Sequence, residues 1–345
     1  MSFKPPRPLS AWEANDLRDD EGWIQTLSGA ERAEARNALD AVSGRDVLTI
    51  TADNFPLPSL ARKLDLINDE IEGGRGVALI RGAPIEDLDS EAIERLFWGI
   101  SSHICYPEAQ DRSGKRLHRV RAEQTVASRA DAERVFGGSN IRAYQTNVEL
   151  GFHGDGSDAL FFMCVRQGKA GGETRLSSAV TAFNDVLQAD PELAAALQAP
   201  YDFDARGELG ADKPTQSLPI FAHYDGYLSA LYKRGYIELA QRLPGVAPLS
   251  SLQLRALDAL DAALSSAKNC YEFRMQPGDI LIANNYSIMH ARTGFEDWPD
   301  AARGRLMLRI WGTLRRNRRP IPPAYRESRE FSEAHKRRVA LGDAL

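Results

Sequence analysis

The sequence predicts a mixed α/β fold with a mainly β core: one sheet system decorated by helical insertions and preceded by a helical N-terminal region. Three observations carry this expectation. Short apolar runs that read as strands occur at widely separated places, 76–81, 160–165, 279–284 and 304–313. Helical spacing of apolar and charged residues fills the intervals between them. No repeat, low-complexity tract or interdomain linker divides the chain, so the distant strands have to meet in one core. A length of 345 residues permits two domains. The reading is nevertheless a single domain, with a helical extension over 1–75, a core over 76–313 and a basic tail over 314–345.

In chain order, residues 29–43 and 57–72 carry alanine, leucine and charges at helical spacing. The glycine-bounded run 76–81 reads as a buried strand, and Ser90 caps the helix that follows it. From 104 to 140 the text is polar and irregular, which reads as a loop and a candidate lid. LFFMCV, residues 160–165, is apolar on both alternations, so both faces of that strand are expected to be covered. Helical spacing returns over 179–197, 231–243 and 251–266, and short strands are expected at 269–275, 279–284 and 304–313. The tail, RRNRRP and then HKRRVA, reads as a solvated charged segment.

Bulk properties narrow the partner. With 43% hydrophobic residues, 26% charged residues and a net charge of −5, the chain has a soluble globular composition and no general electrostatic reason to bind nucleic acid. Cys105, Cys164 and Cys270 form no CxxC pair, which suits a reducing compartment without disulfides. No signal-like or membrane-spanning apolar run is present, so a cytoplasmic location and no membrane association are expected. A small-molecule substrate is the expected partner, and self-association is left open.

The chemistry lies in the histidines. His153 and Asp155, in GFHGDGSD, sit one residue apart at a strand boundary, where alternation aims both at one face. A third ligand is expected from a separate strand, and His290 in NNYSIMHART supplies it. Two histidines and one carboxylate suit non-haem iron(II) with open coordination positions, although zinc takes the same residue types. The second HxD, His223 and Asp225 before Gly226, reads as a turn. His103, His118 and His335 read as ordinary surface or loop residues. In GRLMLRIWG, alternation places Arg305, Met307, Arg309 and Trp311 on one face and Leu306, Leu308 and Ile310 on the other. Taken alone this is an edge strand with its arginines in water; beside a metal triad, an arginine fork matched to a dicarboxylate is the better reading.

These residues give the sequence a resemblance to the TauD/TfdA-type iron(II)/2-oxoglutarate-dependent dioxygenases. It is carried by His153-Gly-Asp155, Gly171-Gly-Glu-Thr174, His290, and Arg305 with Arg309 in RLMLR, and runs from about 140 to 313, more loosely back to Gly76. The resemblance implies a double-stranded β-helix, or jelly-roll barrel, with iron(II) held by His153, Asp155 and His290. It also implies 2-oxoglutarate and O2 as cosubstrates, with Arg305 on the remote carboxylate of 2-oxoglutarate and Thr174 assisting. The interval from His290 to Arg305 is longer than in taurine dioxygenase, which keeps Arg303 as a second candidate.

The implied outcome is hydroxylation of an unactivated C–H, with succinate and CO2 as coproducts; Asp155 stands where related halogenases lack the acid. Desaturase, cyclase and epimerase outcomes share the same iron set. For the substrate, an amino-acid-derived molecule, a sulfonate or a natural-product intermediate, Arg309 is the candidate anchor for an acidic group. Tyr144, Gln145, Asn147, Asp158, Asn285 and Tyr286 are candidate pocket residues. Two rival classes stand: a zinc hydrolase, for which Glu149 is the nearest base, and a non-catalytic jelly-roll that binds a small acid.

Overall fold

The computed structural model describes residues 8–332 apart from 112, 124, 129, 132–133, 135–142 and 211, together with residue 336. In chain order the strands of its two larger sheets are β1 (Ile24–Thr26), β2 (Val77–Arg81), β3 (Cys105–Glu108), β4 (Leu117–Val120), β5 (Leu150–His153), β6 (Ala159–Arg166), β7 (Thr174–Ser178), β8 (Tyr271–Phe273), β9 (Ile280–Asn284), β10 (Ile288–Arg292) and β11 (Leu306–Leu314). The seven-stranded sheet runs β1-β2-β9-β6-β11, and β3 and β4 share the free edge of β11. The four-stranded sheet runs β8-β7-β10-β5, all antiparallel. Among the described residues no strand pairing joins the two sheets into a closed barrel.

Alternation along the strands builds the layers. Ala78, Ile80, Phe161, Met163, Ile282, Leu308 and Ile310 pack one face of the large sheet against the helices Gly29–Ala41, Ala61–Gly73 and Ser90–Ser102. Leu79, Cys164, Leu281 and Met307 face the other way and meet Leu176 and Ile288 of the small sheet. The far face of the small sheet is covered by the helices Ala179–Ala189, Pro191–Leu197 and Ser251–Ser265. The order is helices, large sheet, small sheet, helices, and the site lies where β5, β10 and β11 approach one another.

Departures from the sequence reading have local causes. The helix expected over 179–197 breaks at Asp190, whose carboxylate caps the next helix by accepting from Glu192 N at 3.0 Å while Pro191 takes its first turn. The region 104–140 is not all loop: β3 and β4 lie within it, and their polar text fits strands that each pair only with β11. The part of the lid reading that falls on 112, 124, 129, 132–133 and 135–140 lies outside the described residues. The tail is not a solvated charge run over 318–332. Arg319 bonds Glu72, with both side chains almost fully buried, Arg318 pairs with Asp158 at 2.6 Å, and Tyr325 and Phe331 enter the core. A charge run looks solvated only when the acids that meet it, here Glu72 and Asp158, lie far away in sequence. No helix of the described residues is long and apolar enough to cross a membrane.

Candidate metal centre

The small sheet assembles the two histidines. His153 ends β5 and His290 lies mid-way along β10, and the antiparallel register makes them direct partners with ring centroids 4.2 Å apart. Asp155 sits in the bend beyond β5, with Oδ2 3.8 Å from His290 Nε2. One donor atom from each of the three lies within 4.8 Å of the others. The bend is held by Asn285, whose Oδ1 accepts from Asp155 N at 3.1 Å while Nδ2 donates to the carbonyl and hydroxyl of Ser157. Gly154 fits because a Cβ there would stand 3.1 Å from the Asn285 carbonyl oxygen and 3.4 Å from Met289 Cε.

Protonation states follow from burial and neighbours. His153 Nδ1 lies 2.9 Å from the Gly151 carbonyl, so Nδ1 carries the proton and Nε2 keeps its lone pair for a ligand. Burial lowers both imidazole pKa values; for His290, burial and then His153 push it down to about 3. Both rings are therefore neutral at neutral pH. Burial alone would raise the Asp155 carboxyl, but the cations around it, Arg309 foremost and then Lys233, outweigh it and hold the group well below the usual carboxylate range. Two neutral imidazoles and one ionised carboxylate are the protonation states a divalent ion requires. The donor set fits such an ion: one half-buried and two buried side chains converge on one point, with cavity space beside it.

The carboxylate is oriented from β11. Trp311 Nε1 donates to Asp155 Oδ2 at 2.8 Å, and Arg309 Nη1 lies 3.5 Å from the same oxygen. Trp311→Phe keeps most of the packing but removes this donor. A fall in metal affinity of about 10–100-fold is expected, read by titrating the metal-stripped protein with Fe(II) under argon; unchanged affinity would show that Asp155 needs no such orientation.

A cavity of about 50 Å³ beside His290 is lined by Thr174, Arg292, Arg305 and Arg309. Arg305 is buried, and its Nε has no hydrogen-bond partner. Burial lowers its pKa to about 10, so it stays charged at neutral pH. Thr174 opens β7 and is the register partner of Arg292. Arg303 lies away from this cavity, exposed in a 3-10 turn with its guanidinium 3.9 Å from the Trp298 ring centroid.

A larger cavity of about 400 Å³ opens on His153, Asp155 and Arg309. Of the candidate pocket residues, Tyr144 lines it and stacks 4.7 Å from the Arg309 guanidinium, but in a 3-10 turn rather than a strand. Arg309 also donates from Nε to Gln110 at 2.7 Å. The other candidates are occupied elsewhere: Gln145 bonds Glu123, Asn147 accepts from Val126 N, and Asp158 accepts from Tyr286, Leu314 N and Arg318. Asn285 acts on the Asp155 bend. His223 closes a hairpin whose Asp225 and Gly226 have φ of 50 and 81°, which is turn geometry. Glu149 is exposed and paired with Arg175 at 2.7 Å.

Two residues at the cavity carry no motif that sequence reasoning could have found. His118 is not a surface residue: it is buried on β4 opposite Arg309, with Nε2 lacking a hydrogen-bond partner. Lys233 pairs with His153 through an isolated bridge and is almost fully buried, its Nζ 5.8 Å from the Trp311 ring centroid. His103 bonds the Phe55 carbonyl at 2.7 Å, and His335 lies outside the described residues.

The relative "FR-33289 synthase" of Streptomyces rubellomurinus is 28% identical over 319 residues, spanning 89% of this chain and 90% of its own length. "Uridine-5'-phosphate dioxygenase" of Amycolatopsis sp is 30% identical over 141 residues, 41% of this chain and 50% of that protein. Among solved structures, asparagine oxygenase in complex with Fe(II), 2S,3S-3-hydroxyasparagine and succinate superposes with a TM-score of 0.62 at 15% identity, covering 91% of this chain and 98% of that one. The non-heme iron oxygenase OrfP with Fe, succinate and (3S)-hydroxy-L-Arg gives 0.60 at 15% identity, covering 84% and 94%. These structural likenesses speak for a shared fold. The profile of the family described as "Taurine catabolism dioxygenase TauD, TfdA family" matches residues 43–311, a stretch that holds the triad, Thr174, Arg305 and Arg309; the chain belongs to that family of iron(II)/2-oxoglutarate-dependent dioxygenases.

Proposed function

We propose that the enzyme uses iron(II) at His153, Asp155 and His290, with 2-oxoglutarate and O2, to hydroxylate an unactivated C–H bond of a small molecule. The observation that carries this reading is Arg305, a buried cation whose Nε lacks an acceptor in the same small cavity as His290 and Thr174. An unpaired buried guanidinium calls for an anion, and a carboxylate matches its fork. His153, Asp155 and His290 would hold iron(II), which would supply the oxidative chemistry that couples decarboxylation of 2-oxoglutarate to succinate and CO2 with insertion of one oxygen atom of O2 into a substrate C–H bond.

The chain's own residues do the rest. The Gly151 carbonyl fixes the His153 tautomer, Trp311 aims Asp155, and Arg305 with the Thr174 hydroxyl holds the distal carboxylate, which orients the keto end toward the histidines. Arg309 and Tyr144 border the substrate side. Around that cavity Arg234 pairs with Asp261 and Arg175 with Glu149, so charges of both signs meet a bound molecule. Such a wall suits an amino-acid-derived molecule, a sulfonate or a charged natural-product intermediate. We read the two sheets with their shared core as the halves of a double-stranded β-helix, and the whole chain as one domain.

Succinate release screened against amino acids, small sulfonates and natural-product intermediates tests the activity. Arg305→Ala is expected to weaken 2-oxoglutarate binding by about 2–5 kcal/mol, roughly thirty- to several-thousand-fold in KM. An unchanged cosubstrate requirement would take the role away from Arg305.

A further inference from the structure

Phe295 lies between two buried guanidiniums. Arg292 Cζ stands 4.6 Å and Arg305 Cζ 5.3 Å from its ring centroid, and both side chains line the small cavity beside His290. Their hydrogen bonding differs. Arg292 donates to three backbone carbonyls, those of Thr146 at 3.1 Å, Thr293 at 3.2 Å and Val148. Carbonyl oxygens take three of its five N–H groups, those on Nε and Nη2, but carry only partial charge, so the full positive charge remains to be balanced. Neither guanidinium is ion-paired with a carboxylate among the described residues. The acid that acts electrostatically on both is Asp297, whose Oδ1 accepts from the Arg305 backbone N–H at 2.7 Å. Two cations around one ring, with one acid near them, leave this corner one negative charge short.

We propose that Arg292 is a second cation of the cosubstrate pocket, a positioning residue whose charge, added to that of Arg305, makes the pocket select a dicarboxylate over a keto acid with an uncharged chain end. This rests on the assignment of the 2-oxoglutarate site to Arg305. Arg305 has an unpartnered Nε and meets the distal carboxylate directly; Arg292, with its Nε and Nη2 committed to carbonyls, acts through space. The sheet fixes its place, because the β10–β7 register sets Arg292 opposite Thr174. The rival role is a strut: the same bonds tie residues 146–148 to β10 just ahead of His153.

Charge and strut separate by ligand. Two keto acids of equal chain length, 2-oxoglutarate and 2-oxopentanoate, which has a methyl where the distal carboxylate stands, would be titrated calorimetrically into the anaerobic Fe(II) protein. Arg292→Gln is expected to weaken 2-oxoglutarate by about tenfold, the size of one charge pair at this range in a partly screened interior, and to move 2-oxopentanoate by less than about twofold. Arg292→Lys, which keeps the charge and loses the planar fork, is expected to retain 2-oxoglutarate affinity within about threefold. Equal weakening of both keto acids in Arg292→Gln, or no weakening of 2-oxoglutarate, overturns the inference. Arg305→Gln keeps the two levels apart: if it weakens 2-oxoglutarate and Arg292→Gln does not, only the role of Arg292 falls. If Arg305→Gln leaves 2-oxoglutarate binding unchanged, the site assignment falls with it.

Discussion

Asp155→Asn is expected to abolish succinate formation while the fold survives. The amide keeps the shape of the carboxylate and an oxygen that can accept from Trp311 Nε1, so the bend held by Asn285 is not forced to move. What disappears is the negative charge. In the wild type that charge faces Arg309 at 3.5 Å, and this cation above all keeps the group ionised in spite of its burial. With asparagine the ion would face two neutral imidazoles, a neutral amide and the cation Arg309, left without its carboxylate. Loss of an outer-shell partner of a metal ligand costs about 10–100-fold in metal affinity or activity, and loss of the charged ligand itself should exceed the upper end of that range. Fe(II) titration and succinate release measured on the same preparation, with circular dichroism as the check on folding, give the readout. Wild-type succinate release from Asp155→Asn would place the metal on another acid.

Much of this centre could be read from text alone because its parts are local motifs. His153 and Asp155 are two positions apart, and the alternation of GRLMLRIWG sends Leu306, Leu308 and Ile310 to the helical side while Arg305, Arg309 and Trp311 reach the cavities. The apolar runs at 76–81, 160–165 and 279–284 became β2, β6 and β9, strands buried on both faces, and the alternating stretch 304–313 became β11. The strands β5, β7 and β10 that hold the histidines left no such trace: they are four or five residues long and mix glycine, serine, histidine and arginine with their apolar positions. Residues whose meaning depends on a distant partner were also hidden. Asn285 read as a pocket group but is spent on the Asp155 bend across 130 residues of chain, and Trp311 gave no sign that its N–H ends on Asp155. Nothing beside Lys233 in sequence announces Glu330, and nothing in RRNRRP announces Glu72 or Asp158. Local periodicity reports which side of an element is apolar, not which acid waits across the fold.

Glu330→Ala carries the largest expected loss of stability, because it leaves two buried cations without their acid. Glu330 is 3% exposed and accepts from Arg329 Nε at 2.8 Å, Lys233 Nζ at 3.2 Å and Gln216 Nε2 at 2.7 Å. It packs against the Asp155 bend so closely that a Cβ on Gly156 would stand 2.9 Å from Glu330 Cγ. Removing one partner of a buried ion pair costs about 3–5 kcal/mol, several times what an exposed pair is worth. The pH dependence gives a second measure. Burial raises the Glu330 carboxyl, but Lys233 and Arg329 more than reverse it and hold the group at about 2, below its ordinary 4.5. A folded-state pKa lowered in this way stabilises the protein above the unfolded value, and the contribution drains away as pH falls from about 4.5 toward about 2. Its full size is about 3 kcal/mol. In chemical denaturation at pH 7, Glu330→Gln should therefore be less stable than wild type, and the gap between them should narrow as the pH is lowered through that window. The consequence reaches the proposed metal site, since Lys233 is held between Glu330 and the Trp311 ring, and Trp311 holds Asp155. Glu330→Ala should accordingly weaken Fe(II) binding as well as the fold. A variant with wild-type stability at pH 7, or a stability gap that does not change with pH, would mean that Lys233 and Arg329 find another acid when Glu330 is gone.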